Sequence, residues 1–339
     1  MQLSSKIFEV LKENLERENY FKDYSSLMIS LPSGLSRYAI EIKDYISRYY
    51  NGEIYIYADE SFGACDIPID AAKRLNCKLI LHFGHTPFIN ENPIDNIKVI
   101  YLPLFLEYDY KKVAEDLLPF IENLHKISLH APVQYTQALP YLKEEIEKRS
   151  KVKVYLGKSS TCQYPGQILG CDVSSFFSAF SDSNKSIEAA IYIGDGSFHY
   201  YALLKYLPKE IKVIVYDLNI SKVEIYNSKE RERFLKRYYA LYSLLKISQR
   251  IGVLLSTKIG QYLHYGSAIK KAIEEFKREG KEVYIFVADK LEPSQINSFS
   301  EKVDILVNFA CPRIEDDNKL YSKPIISYTT YKMIEKDLL

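Results

Sequence analysis

The chain has 339 residues, of which 47% are hydrophobic, a size and composition typical of two or three globular domains with substantial cores. Its 45 basic and 44 acidic residues nearly cancel, so the net charge gives no reason to expect a nucleic-acid partner or an anionic membrane. No apolar run approaches the roughly 20 residues of a membrane span, and the N-terminus lacks the apolar stretch of a secretory signal. We therefore expect a cytoplasmic protein whose five cysteines are reduced thiols or metal ligands.

The predicted elements begin with an amphipathic helix, since Ile7, Val10, Leu11 and Leu15 recur at helical spacing. Strands and helices then alternate, and short runs rich in Val, Ile, Leu and Tyr predict three groups of four strands. These strands are 27–31, 54–57, 79–83 and 99–104; then 127–131, 152–156, 190–193 and 213–216; then 252–255, 283–287, 305–309 and 325–328. The alternation predicts parallel sheets, because parallel strands need a crossover that is usually helical.

The three groups also share features of their loops, which indicates three related α/β domains. Third strands end in Phe-Gly-His-Thr-Pro at 83–87, Ile-Gly-Asp-Gly-Ser at 193–197 and Phe-Ala-Cys-Pro-Arg at 309–313. First strands begin at 27, 127 and 251, at intervals close to the usual size of a domain. We predict small parallel-sheet, Rossmann-like domains at 1–106, 107–218 and 219–339.

The predicted architecture places the functional site at the centre of the molecule. In parallel α/β sheets, ligands bind beyond the carboxyl ends of the strands, so three domains facing one axis would surround a single site. A long helix is predicted at 229–248, and its basic residues are Arg231, Arg233, Lys236 and Arg237. We expect this basic face to be solvated or to lie at an interface between the second and third domains.

Cysteine positions give the first indication of chemistry. Cys65, Cys171 and Cys311 each follow an apolar strand or a glycine-containing loop, one in each predicted domain, and the first two are followed by Asp. Small residues beside a thiolate let the backbone approach a ligand closely and donate N–H groups to sulfur. Cys77 instead ends a helical apolar pattern, which is typical of a small buried hydrophobe.

Two kinds of metal site are compatible with these cysteines. Structural zinc sites are closed by four ligands, often including two cysteines a few residues apart, and the sequence has no such pair. Isolated cysteines suit a [4Fe-4S] cluster in which three irons are held by thiolates and the fourth is open to a substrate. The alternatives are that Cys162 competes as a ligand, or that His85 or His199 completes a mixed zinc site.

Five motifs resemble, in order, those of the archaeal 2-(3-amino-3-carboxypropyl)histidine synthase family, which carries out the first step of diphthamide biosynthesis. They are YADESFGACD at 57–66, HFGHT at 82–86, YPGQILGCD at 164–172, YIGDGSFH at 192–199 and VDILVNFACPRI at 303–314. The resemblance begins at 31–35 and covers nearly the whole chain. One departure is Ser256, which stands where the family commonly has glycine and bears only on the backbone approach at that turn.

The resemblance implies three related α/β domains that contribute Cys65, Cys171 and Cys311 to a [4Fe-4S] cluster, with S-adenosylmethionine as co-substrate. It also implies cleavage of the bond from sulfur to the methionine γ-carbon, which yields methylthioadenosine and a 3-amino-3-carboxypropyl radical. In the family this radical adds to imidazole C2 of one histidine in translation elongation factor 2. A homodimer and an electron donor that the sequence does not identify are further implications. Cys162 matches no family cysteine.

Polar residues at other strand ends are candidates to bind S-adenosylmethionine. Ser256, Thr257 and Gln261 are candidates for its carboxylate or ribose, and Arg313 for a carboxylate or for the cluster charge. Asp195 and His199 are candidates to face the same pocket; these six are the predicted cofactor-binding residues. We predict no catalytic side chain beyond the cluster ligands.

The histidines at 82 and 85 form a separate candidate pair. They would lie on opposite faces of an extended backbone, with one ring buried and the other nearer the site.

Other functions share this predicted architecture. Quinolinate synthase is another triplicated α/β enzyme with one cluster cysteine per domain, and it is a lyase. A non-catalytic partner subunit, whose cluster only transfers electrons, is a second alternative. A cluster-free, nucleotide-binding protein of three domains is a third. The motifs favour the histidine synthase, and cleavage of S-adenosylmethionine would discriminate it from the lyase.

Overall fold

The computed structural model describes residues 2–17, 23–59, 61–88 and 93–336. Three separate sheets lie one after another along the chain. Among the helices of these described segments, none is long and apolar enough to cross a membrane.

The first sheet has four parallel strands in the order β2-β1-β3-β4. The strands are β1 (Ser26–Ser30), β2 (Glu53–Ile56), β3 (Leu79–Phe83) and β4 (Lys98–Leu102). The helices of this unit are α1 (Gln2–Arg17), α2 (Ala39–Ile46) and α3 (Ile69–Arg74). The opening helix α1 was predicted, and Ile7 and Leu11 are buried against the sheet.

The second sheet repeats this order and adds a fifth strand, giving β6-β5-β7-β8-β9. The strands are β5 (Lys126–His130), β6 (Lys153–Tyr155), β7 (Ala189–Gly194), β8 (Lys212–Asp217) and β9 (Lys222–Tyr226). The helices are α4 (Tyr110–Ile121), α5 (Leu139–Arg149), α6 (Ser174–Asp182) and α7 (Tyr200–Tyr206).

The third sheet has the order β11-β10-β12-β13, again with all strands parallel. The strands are β10 (Arg250–Ser256), β11 (Glu282–Ala288), β12 (Ile305–Asn308) and β13 (Ile325–Ser327). The helices are α8 (Ser228–Ile247), α9 (Ile259–Arg278), α10 (Pro293–Phe299) and α11 (Tyr328–Glu335). The shared order confirms that the three units are related in fold.

The inner strands of each sheet are buried on both faces, as is typical of parallel sheets covered by helices, whereas the edge strand β11 is largely exposed. Successive strand residues point to opposite faces, so alternate residues enter different cores. In β1, Leu27 and Ile29 pack into one cluster and Met28 into the other. In β12, Ile305 and Val307 pack on one side and Leu306 on the other. This double burial explains why these strands are continuous apolar runs in the sequence.

All twelve predicted strands are present, and strand β9 was not predicted. It pairs antiparallel with β8 after a turn in which Ser221 has φ of 50°. It therefore extends the second sheet past the predicted domain boundary at 218. Its residues, Lys-Val-Glu-Ile-Tyr, are half-exposed at the edge of the sheet, so the segment lacks the apolar run by which the other strands were recognised.

The basic helix α8 was expected to be solvated or to lie at an interface, and Arg231 lies at an interface with the second unit. Arg231 is buried, with 2% of its surface exposed, and its guanidinium donates hydrogen bonds to the carbonyls of Leu204, Leu207, Pro208 and Ile211. These carbonyls follow α7 or lie in its last turn, where helical partners are absent. Arg231 therefore caps the second unit from helix α8, in agreement with the interface alternative of the prediction.

Candidate functional site

Loops from all three sheets enclose a cavity of about 680 Å³, and Cys65, Cys171 and Cys311 all line it. The loops are not equivalent. Cys65 and Cys171 follow the second strands β2 and β6, whereas Cys311 follows the third strand β12. Cys77 is fully buried elsewhere and contacts the carbonyl of Leu79 at 3.3 Å, as expected of a core residue.

The three cavity thiols influence one another's ionisation. Burial raises the pKa of Cys65 to about 12, and the charges of Cys311 and Asp66 add to the rise. Burial also raises the pKa of Cys171 well above its ordinary value, with contributions from Cys311 and Cys65. The pKa of Cys311 is raised by burial as well. Three buried thiolates that repel one another need a cation to stay ionised together, which is what a bound metal supplies.

The arrangement fits a polynuclear metal centre better than a single ion. Within the described ranges, no three His, Cys, Asp or Glu side chains converge closely enough to hold one metal ion. His85 and His199, the two histidines considered for a mixed zinc site, both line the cavity. An iron–sulfur cluster is several atoms across, so thiols that share a cavity without meeting at one point suit it.

The Cys65 loop is held by the start of helix α9, from the third unit. The Gly260 N–H donates to the Cys65 carbonyl at 3.2 Å, and a Cβ at 260 would lie 2.5 Å from the Cys65 Cα. The Gln261 side chain hydrogen-bonds the Cys65 thiol, which lowers the pKa of that thiol against the larger effect of burial. Only glycine allows the helix to approach the cysteine this closely.

A buried ion pair fixes the same contact. The Lys258 ammonium donates to the Asp66 carboxylate, and their side chains are only 7% and 6% exposed. Asp66 also accepts from the Phe62 N–H at 3.2 Å. The residue that follows the first cysteine is thus linked to the turn before α9. Sequence reasoning missed Lys258, although a carboxylate beside a buried thiol was a signal that a cation should lie nearby.

The Cys171 loop is organised within its own unit. The Asp172 carboxylate accepts from the hydroxyls of Ser159, at 2.6 Å, and Thr161, and from the Ser174 N–H at 2.7 Å. The same loop holds Cys162, whose N–H donates to the Ser159 hydroxyl at 2.8 Å. Cys162 is not among the described residues that line the cavity.

The Cys311 loop is fixed by a buried asparagine at the end of β12. The Asn308 amide nitrogen donates to the Cys311 carbonyl at 2.8 Å and to the Ser327 hydroxyl at 3.1 Å, and its oxygen accepts from the Ala310 N–H at 2.8 Å. Every polar atom of this side chain is therefore used to shape the cysteine turn.

A second buried ion pair joins the Cys311 loop to the second unit. Lys205 of α7 contacts Glu315, and both side chains are at most 1% exposed. Burial acts to lower the pKa of Lys205, but Glu315 together with the smaller effects of Tyr238 and Asp316 outweighs it and the pKa is raised. Glu315 also accepts from Thr330 at 2.6 Å and from the Ser327 N–H at 2.7 Å. A charge buried this deeply needs an opposite charge and hydrogen-bond partners to offset its loss of hydration.

Five of the six predicted cofactor-binding residues line the cavity, namely Ser256, Gln261, Arg313, Asp195 and His199. Thr257 is not among the described lining residues, and its hydroxyl lies 3.4 Å from the Asp289 carboxylate. The Ser256 hydroxyl is engaged in the turn, where it donates to the Asp289 carbonyl and accepts from the Lys258 N–H, both at 3.2 Å.

Arg313 and His199 carry unused polar atoms. Arg313 is ion-paired with Asp316 and lies over the Phe198 ring at 5.0 Å, but its Nε has no hydrogen-bond partner among the described residues. The buried Nδ1 of His199 likewise has none in the described part of the chain. Burial, with a smaller effect of the Arg313 charge, lowers the pKa of His199 to about 3. Both atoms can therefore form a hydrogen bond with a molecule in the cavity.

The two histidines of the 82–86 motif lie together and not on opposite faces. Gly84 has φ of +78°, which turns the backbone so that the two rings stack at 5.0 Å between centroids. The prediction of opposite faces assumed an extended backbone, which glycine does not maintain here. His82 is fully buried and His85 lines the cavity, as the sequence predicted for one ring of each kind.

The three α/β units enclose a shared cavity, and each unit supplies one cysteine to its wall. This arrangement is typical of a three-domain α/β protein that binds a metal centre between its domains. The family described as "Putative diphthamide synthesis protein" matches residues 31–337, and the chain belongs to this family.

Individual relatives agree with this membership. The chain is 27% identical over 341 aligned positions to 2-(3-amino-3-carboxypropyl)histidine synthase of Methanocaldococcus jannaschii, covering 95% of this chain and 88% of the relative. It is 26% identical over 324 positions to the protein of the same name from Pyrococcus horikoshii, covering 95% and 89%. Subunit 1 of the Candida albicans synthase is 27% identical over 347 positions, covering 100% and 75%. The chain is accordingly an enzyme of the transferase class.

A solved structure confirms the fold. The crystal structure of Dph2 from Pyrococcus horikoshii with a 4Fe-4S cluster matches with a TM-score of 0.78 at 24% identity, covering 97% of this chain and 89% of that one.

Proposed function

We propose that Cys65, Cys171 and Cys311 hold a [4Fe-4S] cluster, with which the chain transfers the 3-amino-3-carboxypropyl group of S-adenosylmethionine to a histidine of translation elongation factor 2. The observation that carries the proposal is the convergence of these three cysteines, one from each unit, on one cavity. The names of the curated relatives and the cluster of the Pyrococcus horikoshii structure support it.

The cluster, when bound, would supply one electron to the sulfonium, and the side chains of this chain would bind and orient the co-substrate. The Arg313 guanidinium, with its Nε unused among the described residues, is suited to a carboxylate. Gln261 reaches the cavity beside Cys65 and offers an amide to the co-substrate. Asp195 and His199 line the cavity from the loop that follows β7 of the second unit. Ser256 and Thr257 are expected to shape the turn before α9.

Apolar side chains would protect the transferred fragment. Four apolar residues are among those that line the cavity, namely Phe62, Phe88, Phe198 and Leu291. A wall of this kind excludes water, which would otherwise quench a reactive carbon fragment before it reaches the target ring.

The partners follow from the same proposal. The target is a protein, so the cavity must be open enough to admit a histidine side chain. We expect a homodimer in the cytoplasm, with a separate electron donor that reduces the cluster. The nearly balanced charge of the chain gives no reason to add a nucleic acid.

The first experiment reconstitutes the protein anaerobically with iron and sulfide, reduces it, adds S-adenosylmethionine and analyses the small products by mass spectrometry. We expect methylthioadenosine together with products of the aminocarboxypropyl fragment. Cys→Ala changes at 65, 171 or 311 should abolish both. Cys162→Ser is the matched control, because Cys162 lies near the site but is not among its described lining residues, and it should retain activity.

Other outcomes would redirect the proposal. 5′-Deoxyadenosine would mean cleavage of the bond from sulfur to the ribose C5′. An intact cluster without cleavage would instead support the lyase or the electron-transfer subunit.

A further inference from the structure

A row of hydrogen bonds runs from the core of the first sheet to the cavity. Nδ1 of His85 lies 3.1 Å from Nε2 of His82, and Nδ1 of His82 lies 3.1 Å from the Ser30 hydroxyl. Ser30 and His82 are both fully buried, and His85 lines the cavity. The row therefore ends on a ring whose Nε2 is not used by these bonds.

The fold builds this row from neighbouring strands. Ser30 and His82 are paired residues of β1 and β3, so their side chains lie on the same face of the sheet. Gly84 then reverses the chain, and a Cβ there would meet Pro32 at 3.2 Å. In the motifs at the ends of the third strands, Phe-Gly-His at 83–85 corresponds to Phe-Ala-Cys at 309–311, so His85 aligns with Cys311. The first unit thus presents an imidazole where the third unit presents a thiol.

Both rings are held neutral. Burial lowers the pKa of His85 to about 4 and that of His82 well below its ordinary value. A neutral imidazole has one donor and one acceptor nitrogen. When Nδ1 of His82 donates to Ser30 and Nδ1 of His85 donates to His82, Nε2 of His85 keeps a lone pair that neither of these bonds uses, on a ring that lines the cavity. Ser30 accommodates this arrangement because a hydroxyl both donates and accepts.

The transfer reaction, if the proposed function holds, needs a proton acceptor. A C–C bond forms between the γ-carbon of the donor and C2 of the target imidazole, while the S–Cγ bond and the C2–H bond break. The positively charged sulfonium becomes a neutral thioether, so one proton leaves for each transfer. The electron that starts the cleavage returns to the one-electron carrier when the ring regains its aromaticity. The release of one proton is the same whichever path this electron takes.

We propose that His85 accepts this proton from the target ring, with His82 as a positioning residue. This inference rests on the proposed function and extends it to a catalytic side chain. The three cavity thiols are committed to the metal. The carboxylates among the lining residues, Asp195, Asp289, Glu292 and Asp317, are all exposed, which places them toward solvent.

His199 is the other imidazole of the cavity, and its neighbour disfavours it. The Arg313 cation beside it opposes the gain of a second positive charge. His85 has no such neighbour in its own hydrogen-bonded row, which consists of an imidazole and a hydroxyl.

The test compares His85→Gln with His125→Gln, a matched change of a histidine whose side chain is 86% exposed and is not among the residues that line the cavity. Iron content is measured first, and cleavage of S-adenosylmethionine is then measured separately from transfer to the target protein. We expect His85→Gln to keep cleavage but to lose transfer by at least about 100-fold, the usual effect of removing a general base. The aminocarboxypropyl fragment should then appear as quenched product.

Two further measurements separate a chemical role from a structural one. Target protein deuterated at imidazole C2 should show a larger isotope effect on transfer with His85→Gln than with the parent enzyme. Added imidazole should restore the transfer activity of His85→Ala. If His85→Gln binds less iron than the parent enzyme, this rescue experiment tests the role of His85 instead.

The possible failures are distinguishable. If the parent enzyme does not cleave S-adenosylmethionine to methylthioadenosine, the proposed function itself is wrong. If the parent enzyme transfers the group, and the ratio of transfer to cleavage is the same for His85→Gln as for the parent, only the role of His85 is wrong. Failure of imidazole to restore transfer to an iron-replete His85→Ala would overturn it as well.

Discussion

The loops of Cys65 and Cys171 contain the same Cys-Asp dipeptide after small residues, yet the two aspartates do different things. Asp66 is paired with Lys258, so the first cysteine is connected to the third unit by a buried charge. Asp172 is satisfied by hydroxyls and one amide of its own unit. A short motif therefore determines that a carboxylate stands beside the thiol, but not what the carboxylate binds.

The difference has a consequence for assembly. A carboxylate that is satisfied locally can form its turn before the units come together. A buried carboxylate whose cation belongs to another unit is costly until that unit docks. We infer that the Cys65 site is completed only when the first and third units are joined, whereas the Cys171 turn is intrinsic to the second.

The largest expected effect comes from Lys258→Met, which leaves Asp66 buried without its cation. We expect a loss of about 3 to 5 kcal/mol in the free energy of unfolding, together with a lower iron content. Chemical denaturation and iron analysis measure the two effects. The double variant Asp66→Leu with Lys258→Met should recover most of the stability, since no unpaired charge remains.

Lys290→Met is the control for this prediction. Lys290 pairs with Asp59 at 2.9 Å, but the Asp59 side chain is 58% exposed, so its loss should cost less than about 1 kcal/mol. If Lys258→Met and the double variant lose the same free energy of unfolding, the ion pair is not what stabilises the Cys65 loop.

An intermediate effect is expected from Gly260→Ala. Helix propensity alone predicts stabilisation, because Gly260 lies in the first turn of α9. The added Cβ would collide with the Cys65 backbone, so we expect instead a loss of about 1 to 3 kcal/mol and weaker iron binding. Thermal unfolding shows whether the variant is less stable than the parent, and iron titration shows whether it binds iron more weakly.

Gly170→Ala sharpens the same comparison at the second cysteine. A Cβ there would meet the Arg313 side chain at 2.9 Å, and a side chain yields more easily than backbone. We expect a smaller loss than at 260. A larger loss at 170 would contradict the view that the first cysteine is the one clamped from another unit.

The smallest effect is expected from Asp172→Asn, at about 1 kcal/mol, since an amide keeps one acceptor but loses the charge. Burial acts to raise the pKa of Asp172, but the hydrogen bonds from Ser159, Thr161 and Ser174 outweigh it and lower the pKa below 3.8. A lowered folded-state pKa stabilises above the unfolded pKa, and this stabilisation is lost as pH falls from about 3.8 toward the folded value.

Urea denaturation of the cluster-free protein between pH 6 and 3 measures this contribution. The difference between the parent and Asp172→Asn should be constant above pH 5 and should shrink at the acid end. A difference that grows on acidification would mean that the carboxylate is not the stabilising form.

The sequence by itself determined the strands, the threefold repetition and the three cysteines that share a cavity. These features are local: doubly buried strands are continuous apolar runs, and repeated loops place residues at corresponding strand ends. The exceptions have local reasons too. Strand β9 is a polar edge strand, and the sequence left open whether the face of Arg231 is solvated or lies at an interface, because a charged residue is usually exposed.

Only the tertiary structure decided which polar groups became partners. Lys258 and Asp66 are 192 positions apart, and Lys205 and Glu315 are 110 apart. The row from Ser30 to His85 depends on strand register and on a single positive φ at Gly84. Apolar burial is encoded by periodicity along the chain, but a buried charge or hydrogen bond depends on geometry between distant segments, which periodicity does not specify.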